Sequence, residues 1–364
     1  MPGAPVGGYS KRGRGGGRGM RPSLAPEAAV LAWIAELAAT RLVLFPQEAP
    51  DGGLRFLPVS PGAALVFEGY RPTVLPPGKA FSPGREVLFT WRRLPDGGFH
   101  AEPVIDDCER VLAGVRPCDL KGITLMDRVN REGEPDPHYL ARREAAAIIA
   151  YACRTPCGER CFCQATGSLD HREGADVLLT PVGGAVLVEA QTELGEALVS
   201  SLDAAACDDP GAARREYLES RPSPFGRQLP GTPAELSDVL SRTWQSPVWE
   251  RHSTACFGCG TCNLVCPTCY CFDTHDEVDL AAPTCGHRCR TWDGCMLSEF
   301  ASVADGHDFR KGVAARQRHR VKRKFQYLPG QHGEPFCTGC GRCGTQCTVD
   351  IDIFSIARDL LGDP

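Results

Sequence analysis

Apolar residues recur along the chain in two patterns, which predict helices and strands in different regions. A helical spacing follows Pro26, where Val30, Leu31, Ile34, Leu37 and Ala38 fall on one face, and proline with glutamate suits the first turn of a helix. Between 42 and 116 the apolar runs are short and are separated by proline and glycine, as in strands. These runs are LVLF, LRFLPV, AALVFE, VLFTWRRL and VLAGV. This region therefore predicts a β-rich domain.

The apolar pattern changes again after residue 144. AAAIIAYAC at 145–153 is a continuous apolar run and predicts a buried strand. VLLTPVGGAVLVEA predicts a strand pair that turns at Gly183 and Gly184. Residues 193–246 favour helices, most clearly in ELGEALVSSL and ELSDVLSRTW. A helix is also expected from Asp119 to Arg128, after the strand VLAGV.

Cysteine content is the feature of the composition that changes the picture. The chain has 364 residues, 20 cysteines and a formal net charge of −5, so nothing in its overall charge indicates nucleic-acid binding. Disulfide-rich secreted domains are usually short and follow a signal peptide. The first apolar stretch, 28–45, is interrupted by Glu36 and Arg41 and suits neither a signal peptide nor a membrane span. We therefore expect a cytoplasmic protein with metal-bound thiolates.

One cysteine spacing occurs twice near the C-terminus. The first run is C-x2-C-x2-C-x3-C followed by Pro267, and the second repeats the spacing 81 residues later. Three thiolates on such a loop cover one face of a 4Fe–4S cluster, and the fourth reaches the neighbouring cluster. Crossed ligation assigns one cluster to Cys256, Cys259, Cys262 and Cys347. It assigns the second to Cys337, Cys340, Cys343 and Cys266.

The distance between the two runs indicates the kind of ferredoxin module. Seventy residues separate Cys266 from Cys337, and they include LSEFASVADG and VAARQRHRVKRKF, which favour helices. We therefore predict an α+β chain, with an N-terminal β-rich α/β domain followed by a helix-rich dicluster ferredoxin domain. The expected ranges are a disordered glycine- and arginine-rich tail at 1–22, the α+β domain at 23–235 and the dicluster domain at 236–364.

A further cysteine group precedes these runs. Four cysteines lie in CRTPCGERCFC directly after the apolar run, and Cys118 lies at another expected strand end. A third cluster needs four thiolates. One possible set is Cys118, Cys153, Cys161 and Cys163; the other is Cys153, Cys157, Cys161 and Cys163. Spacing alone favours the second set without excluding the first.

The remaining cysteines give weaker signals. An extra metal site, such as zinc, is one interpretation of Cys269, Cys271, Cys285, Cys289 and Cys295, with His287 nearby. The alternative is that these cysteines shield the clusters, because irregular gaps are a weak signal for zinc. Cys108 and Cys207 are interpreted as single buried thiols. The eight Lys and Arg residues of 310–324 are interpreted as a solvated helix face that meets an acidic partner or raises a cluster potential.

With these motifs identified, the chain from about Gly114 onwards resembles the iron–sulfur β subunits of cytoplasmic NiFe (sulf)hydrogenases and the A subunits of anaerobic sulfite reductases. The resemblance rests on the order of GVRPCDL, DRV, DPHYLARR, the CFC loop, CFGCGTCNLVCPTCYCFD, WDGCMLSEF, RQRHRVKRKFQY and CTGCGRCGTQCTVDIDI. The chain departs from the family pattern in QATGS after Cys163 and in Thr348, where proline is usual.

The resemblance implies a function and a choice of ligands. It implies an electron-transfer subunit between a flavin-bearing NAD(P)H subunit and a catalytic NiFe or sirohaem subunit. It also favours Cys118, Cys153, Cys161 and Cys163 for the third cluster, with Cys157 as the alternative ligand. Two other hypotheses are a zinc-binding Cys-rich interaction module and a subunit that is itself catalytic. No nucleotide, nickel or Ser-His-Asp motif supports catalysis in this chain, so no catalytic residue is expected.

Overall fold

The structure is a computed structural model that describes residues 21–362. The predicted tail, apart from its last two residues, lies outside the described residues. The strands are Ser23–Pro26 (β1), Leu42–Glu48 (β2), Leu54–Pro58 (β3), Arg85–Arg93 (β4), Phe99–Pro103 (β5), Arg110–Val115 (β6), Ala146–Tyr151 (β7), Val177–Val182 (β8), Ala185–Ala190 (β9), Ala205–Ala206 (β10), Phe272–Val278 (β11) and Cys285–Trp292 (β12).

Helices connect these strands and dominate the C-terminal third. They are Glu27–Leu37 (α1), Pro117–Val129 (α2), Pro137–Glu144 (α3), Glu193–Val199 (α4), Pro210–Glu219 (α5), Pro233–Arg242 (α6), Val248–Ser253 (α7), Thr261–Leu264 (α8), Val313–Lys322 (α9), Leu328–His332 (α10), Arg342–Thr345 (α11) and Ile353–Gly362 (α12). A 3-10 turn covers Pro77–Ala80 and a π-helical turn covers Arg323–Tyr327. None of the helices described is long and apolar enough to cross a membrane.

The larger sheet positions the upstream cysteines. Its eight strands run in the order β10-β1-β9-β8-β7-β6-β2-β3, with parallel pairing from β2 through β6 and β7 to β8. Ile34 and Ile149 belong to the core on one face, and Ile123 and Ile148 belong to the core on the other. Because parallel strands end at the same edge, the loops that follow β6 and β7 begin side by side.

The smaller sheet has the order β11-β12-β4-β5. It therefore combines two strands from each side of the boundary predicted at 235/236. The sequence predicted neither β5, whose side chains are all exposed, nor the hairpin β11–β12. An exposed strand lacks the alternation of apolar and polar residues that reveals a half-buried strand. The domain ranges remain a prediction.

A helical core supports the two C-terminal cysteine runs. Leu240 of α6, Trp249 of α7, Val321 of α9 and Leu360 of α12 are buried in it, together with Phe325 of the π-helical turn. The helix expected over VAARQRHRVKRKF is present as α9 and its π-helical continuation. The chain is thus α+β, as predicted.

Two predicted elements are wrong. AALVFE has no strand, although Phe67 is buried and its ring stacks on Tyr151 with centroids 3.9 Å apart. Its apolar pattern reflects burial of a loop against the large sheet. LSEFASVADG contains turns and one isolated bridge, between Ser302 and Asp308, in place of a helix. The Asp-Gly pair at 305–306 favours such a turn, with Gly306 at φ +79°.

Candidate metal centres

The first three cysteines of the first run and the last cysteine of the second run line one cavity. The four thiols at this cavity belong to Cys256, Cys259, Cys262 and Cys347. Gly260 has φ +75°, which glycine adopts without steric cost, and this bend leads directly into α8. The amide N–H of Ile351 donates to Sγ of Cys347 across 3.3 Å. Hydrogen bonds of this kind to ligand sulfurs help to set the potential of an iron–sulfur cluster.

The second cavity has the reciprocal arrangement. It is lined by Cys266, Cys337, Cys340 and Cys343. The φ values of Gly339 and Gly341, +65° and +78°, match those of Gly258 and Gly260, +66° and +75°. The two runs therefore share one backbone conformation, and each cavity contains the four thiols that crossed ligation groups together.

The two cavities differ in their access to solvent. Cys259 is exposed, and the neighbouring Phe257 side chain retains 75% of its accessible surface. Cys340 is buried, and burial raises the pKa of its thiol. The first cavity therefore reaches the protein surface, whereas the second lies deeper in the protein.

Five upstream thiols converge at the edge of the large sheet. They belong to Cys118, Cys153, Cys157, Cys161 and Cys163. Cys118 lies in the first turn of α2 after β6, and Cys153 follows β7. The side chains of Cys157 and Cys163 lower the pKa of the Cys161 thiol. Only Cys157 among the five is partly exposed. Both proposed ligand sets are therefore assembled in one place.

The chemistry of these upstream thiols suits a metal cluster. Burial raises the pKa of Cys118 and of Cys153, so each thiol keeps its proton in the absence of a cation. A metal replaces that proton when it binds the thiolate. A group of five thiols, four of them buried, with no disulfide among them therefore fits an iron–sulfur cluster better than a redox-inert core.

The upstream thiols contact the second run directly. Cys118, Cys153 and Cys163 belong to one buried cluster with Cys340. The amide N–H of Phe162 donates to the carbonyl oxygen of Gly339 across 2.7 Å. A Cβ added at Gly339 would lie 2.6 Å from the Phe162 carbonyl carbon, so only glycine permits this approach.

The interpretation of the basic segment as a solvated face is wrong for four of its eight cations. Arg316, Arg320, Lys322 and Lys324 are all buried. Arg320 donates to the carbonyl oxygen of Cys262 across 3.2 Å, and the Lys324 ammonium donates to the backbone oxygen of Thr268 across 2.7 Å. Arg316, Arg320 and Lys324 are spaced four residues apart, so they follow one face of the helix. That spacing was the sequence signal for cations directed at the cysteine runs.

The neighbouring thiols shift the pKa values of two of these cations, Arg320 and Lys324. Burial by itself would lower the pKa of Arg320, but thiolates at Cys262 and Cys343 raise it well above its usual range. Burial likewise opposes the charge on Lys324, yet Cys266 and Cys269 raise its pKa. Two buried positive charges therefore lie where a cluster with four thiolates would place negative charge.

The five cysteines considered as one extra site do not come together. The amide nitrogen of Asn263 lies 3.6 Å from Sγ of Cys269 and 3.4 Å from Sγ of Cys295, while Cys271 lies just before β11. Cys285 and Cys289 lie on β12, in the small sheet. The gaps in sequence gave no sign of this separation, because the hairpin was not predicted.

The two single cysteines differ from each other. Cys207 is buried as predicted. Cys108 is exposed, so its interpretation as a buried thiol is wrong. It follows Asp106 and Asp107 in a loop before β6, and its amide N–H donates to the Asp106 carboxylate across 3.2 Å. The polar loop keeps this thiol at the surface.

Comparison with known proteins agrees with this geometry. Residues 255–351 match the family model described as a 4Fe-4S dicluster domain. The chain is 32% identical over 294 residues to sulfhydrogenase 2 subunit beta of Pyrococcus furiosus, covering 80% of this chain and 84% of that protein. No solved structure gives a significant match. The chain therefore belongs to the family of iron–sulfur β subunits of hydrogenase type.

Proposed function

We propose that this iron–sulfur electron-transfer subunit relays single electrons through three 4Fe–4S clusters arranged in a row. The first would be held by Cys256, Cys259, Cys262 and Cys347, and the second by Cys266, Cys337, Cys340 and Cys343. The third would be held by Cys118, Cys153, Cys161 and Cys163, with Cys157 as the alternative ligand. The observation that carries the proposal is the packing of Cys340 against Cys118, Cys153 and Cys163.

The contacts between the thiol groups support this order. The upstream group contacts the second run through the Phe162–Gly339 hydrogen bond. Each run supplies its fourth cysteine to the cavity of the other run, so these two groups are also neighbours. The row would begin near the partly exposed Cys157 and end near the exposed Cys259. Each end would meet a different partner.

The protein residues would hold the clusters and set their potentials. Bound 4Fe–4S clusters supply one-electron redox chemistry over a wide range of potentials. Arg320 and Lys324 provide buried positive charge next to the second cavity, which favours the more negative, reduced state. Buried apolar side chains such as Phe162 and Ile353 exclude water from the same cavity.

For the partners, we propose a flavin-bearing NAD(P)H subunit and a catalytic subunit of NiFe or sirohaem type, in the cytoplasm. The name of the relative, a sulfhydrogenase subunit beta, supports a complex of several subunits. The two exposed ends of the row are consistent with separate electron donors and acceptors.

Metal and sulfide analysis of the full chain, purified without oxygen, tests the proposal. Three clusters require roughly twelve iron atoms and as many acid-labile sulfides per chain, four for each cluster. A colourless protein that contains zinc and no acid-labile sulfide would contradict the proposal and would favour the zinc-binding interaction module instead.

A further inference from the structure

The hairpin β11–β12 carries a group of metal-binding side chains that lies apart from the cysteine cavities. His275 and Glu277 lie two residues apart on β11, and His287 and Cys289 lie two residues apart on β12. His275 is paired with Cys289, and Glu277 is paired with His287. Residues paired across strands, and residues two apart, share one face of a sheet. All four side chains therefore lie on the same face.

The potential ligand atoms of this group are already close together. Those of His275, Glu277 and Cys289 lie within 4.8 Å of one another. Nε2 of His275 and Nε2 of His287 lie 3.1 Å and 3.0 Å from the two oxygens of the Glu277 carboxylate. A tetrahedral zinc site has bonds of about 2.0–2.3 Å, so a contraction would bring these three groups onto one ion, and His287, which contacts Glu277, lies beside them as the fourth ligand.

We propose that His275, Glu277, His287 and Cys289 bind a zinc ion that fixes the hairpin β11–β12. A thiolate, two imidazoles and a carboxylate form a donor set typical of zinc, whereas hard cations such as Mg²⁺ prefer oxygen ligands alone. The residue Cys289 is fully buried although three of its neighbours in the group are partly exposed. The thiol therefore forms the inner wall of a site that opens to solvent on the other side.

The hairpin is weakly buried along its outer strand, because six of the seven residues of β11 are exposed. Leu280, in the turn between its strands, is 94% exposed. The hairpin joins the rest of the chain through the pairing of β12 with β4. An ion held by two residues from each strand would lock the register of β11 against β12.

Arg85 of β4 reaches into the same group of side chains. Its guanidinium lies 2.7 Å from the Glu277 carboxylate and 3.4 Å from Sγ of Cys289. The half-exposed Arg85 side chain must therefore move aside when zinc enters.

Zinc binding to the full chain, purified without oxygen and with its iron in place, tests this proposal. We expect one zinc per chain in addition to the iron. The X-ray absorption spectrum of the zinc should show one sulfur ligand, with nitrogen or oxygen as the other ligands. Cys289→Ser and His275→Ala should lose this zinc while iron and acid-labile sulfide stay unchanged. Arg85→Gln should bind zinc more tightly, because the competing cation has been removed.

Two variants on the same sheet face provide controls. Cys285 lies four residues from Cys289 on β12, and His100 lies on β5 across from Arg92 of β4. Cys285→Ser and His100→Gln should keep the zinc. Absence of zinc from the wild-type chain, a spectrum with four sulfurs, or zinc retained by Cys289→Ser would overturn the proposal. Each result is separate from the iron and sulfide counts that test the electron-transfer clusters.

Discussion

Asp119 and Arg342 form a fully buried ion pair between two of the cysteine groups. Nη1 and Nη2 of Arg342 lie 2.5 Å and 2.8 Å from the two carboxylate oxygens of Asp119, and both side chains are at most 1% exposed. Asp119 follows Cys118, and Arg342 lies between Cys340 and Cys343. The pair therefore joins the upstream thiols to the second run.

Loss of one member of this pair should destabilise the protein strongly. Asp119→Asn leaves the Arg342 charge buried without a counter-charge, which typically costs about 3–5 kcal/mol. We expect a clear fall in the thermal unfolding temperature, with loss of the upstream cluster before the others. Circular dichroism and the visible absorbance of the oxygen-free protein would follow both.

Two variants show whether the unpaired charge is the cause. The double variant Asp119→Asn with Arg342→Met removes both charges and should recover part of the lost stability. Asp51→Asn breaks the exposed pair with Arg55 and should have little effect, because solvent screens such pairs. An Asp119→Asn protein as stable as wild type would contradict this role.

Substitution of single cysteines can decide which of the upstream thiols bind the third cluster. Cys118→Ser should abolish one cluster signal, whereas Cys157→Ser should preserve all three, because the proposed set includes Cys118 and excludes Cys157. Spin counting by EPR on the fully reduced protein gives the number of clusters. Loss of the third cluster only in Cys157→Ser would reverse the assignment.

Buried positive charge should raise the reduction potential of the second cluster. Lys324→Met removes a cation that approaches the thiols of Cys266 and Cys269, so the reduced state becomes less favourable. We expect the midpoint potential to fall, by an amount on the order of 100 mV or less. An EPR-monitored redox titration measures this shift.

Lys322→Met is a matched control for that titration. Lys322 is also buried, but it donates to the carbonyl oxygen of Leu240 and to Gln326. Burial and the neighbouring Arg318 lower its pKa, without a contribution from thiolates. Its loss should leave the potentials nearly unchanged. Equal shifts in both variants would mean that a general effect of the substitutions, and not the local charge, moved the potential.

The exposed end of the row should be a docking point for a redox partner. Phe257 lies between Cys256 and Cys259 and is 75% exposed, so Phe257→Ala should slow electron exchange with the partner while iron and sulfide contents stay the same. Stopped-flow oxidation of the reduced subunit by its partner measures this rate. Phe309→Ala, which alters another exposed phenylalanine, should leave the rate unchanged; equal slowing by both variants would contradict a docking role for Phe257.

Local patterns in the sequence were sufficient for many elements of the fold. The run at 146–151 is a buried central strand, and Gly183 and Gly184 do turn a strand pair. The apolar pattern failed to predict the secondary structure at two places where burial does not follow the backbone conformation. Phe67 is buried in a loop, and β5 is a strand with exposed side chains. Apolar periodicity reports which residues meet the core, and the backbone conformation follows only when the burial is regular.

The two C-terminal sites could be grouped from the sequence because their ligands are mostly local. Three cysteines of each run lie within seven residues, and the spacing itself determines that one loop presents them together. The upstream site was less determined, since Cys118 and Cys153 meet only because β6 and β7 are neighbouring parallel strands. Both possible ligand sets remained open for that reason.

The sequence by itself determined the chemistry of this protein, because cysteine spacing within a loop is a local property. Only the tertiary structure decided which distant groups meet: Asp119 with Arg342, Lys324 with Thr268 beside the thiol of Cys266, and His275 with Cys289. These contacts depend on strand order and helix packing, which are determined by the burial of side chains along the whole chain. A local sequence motif does not contain that information.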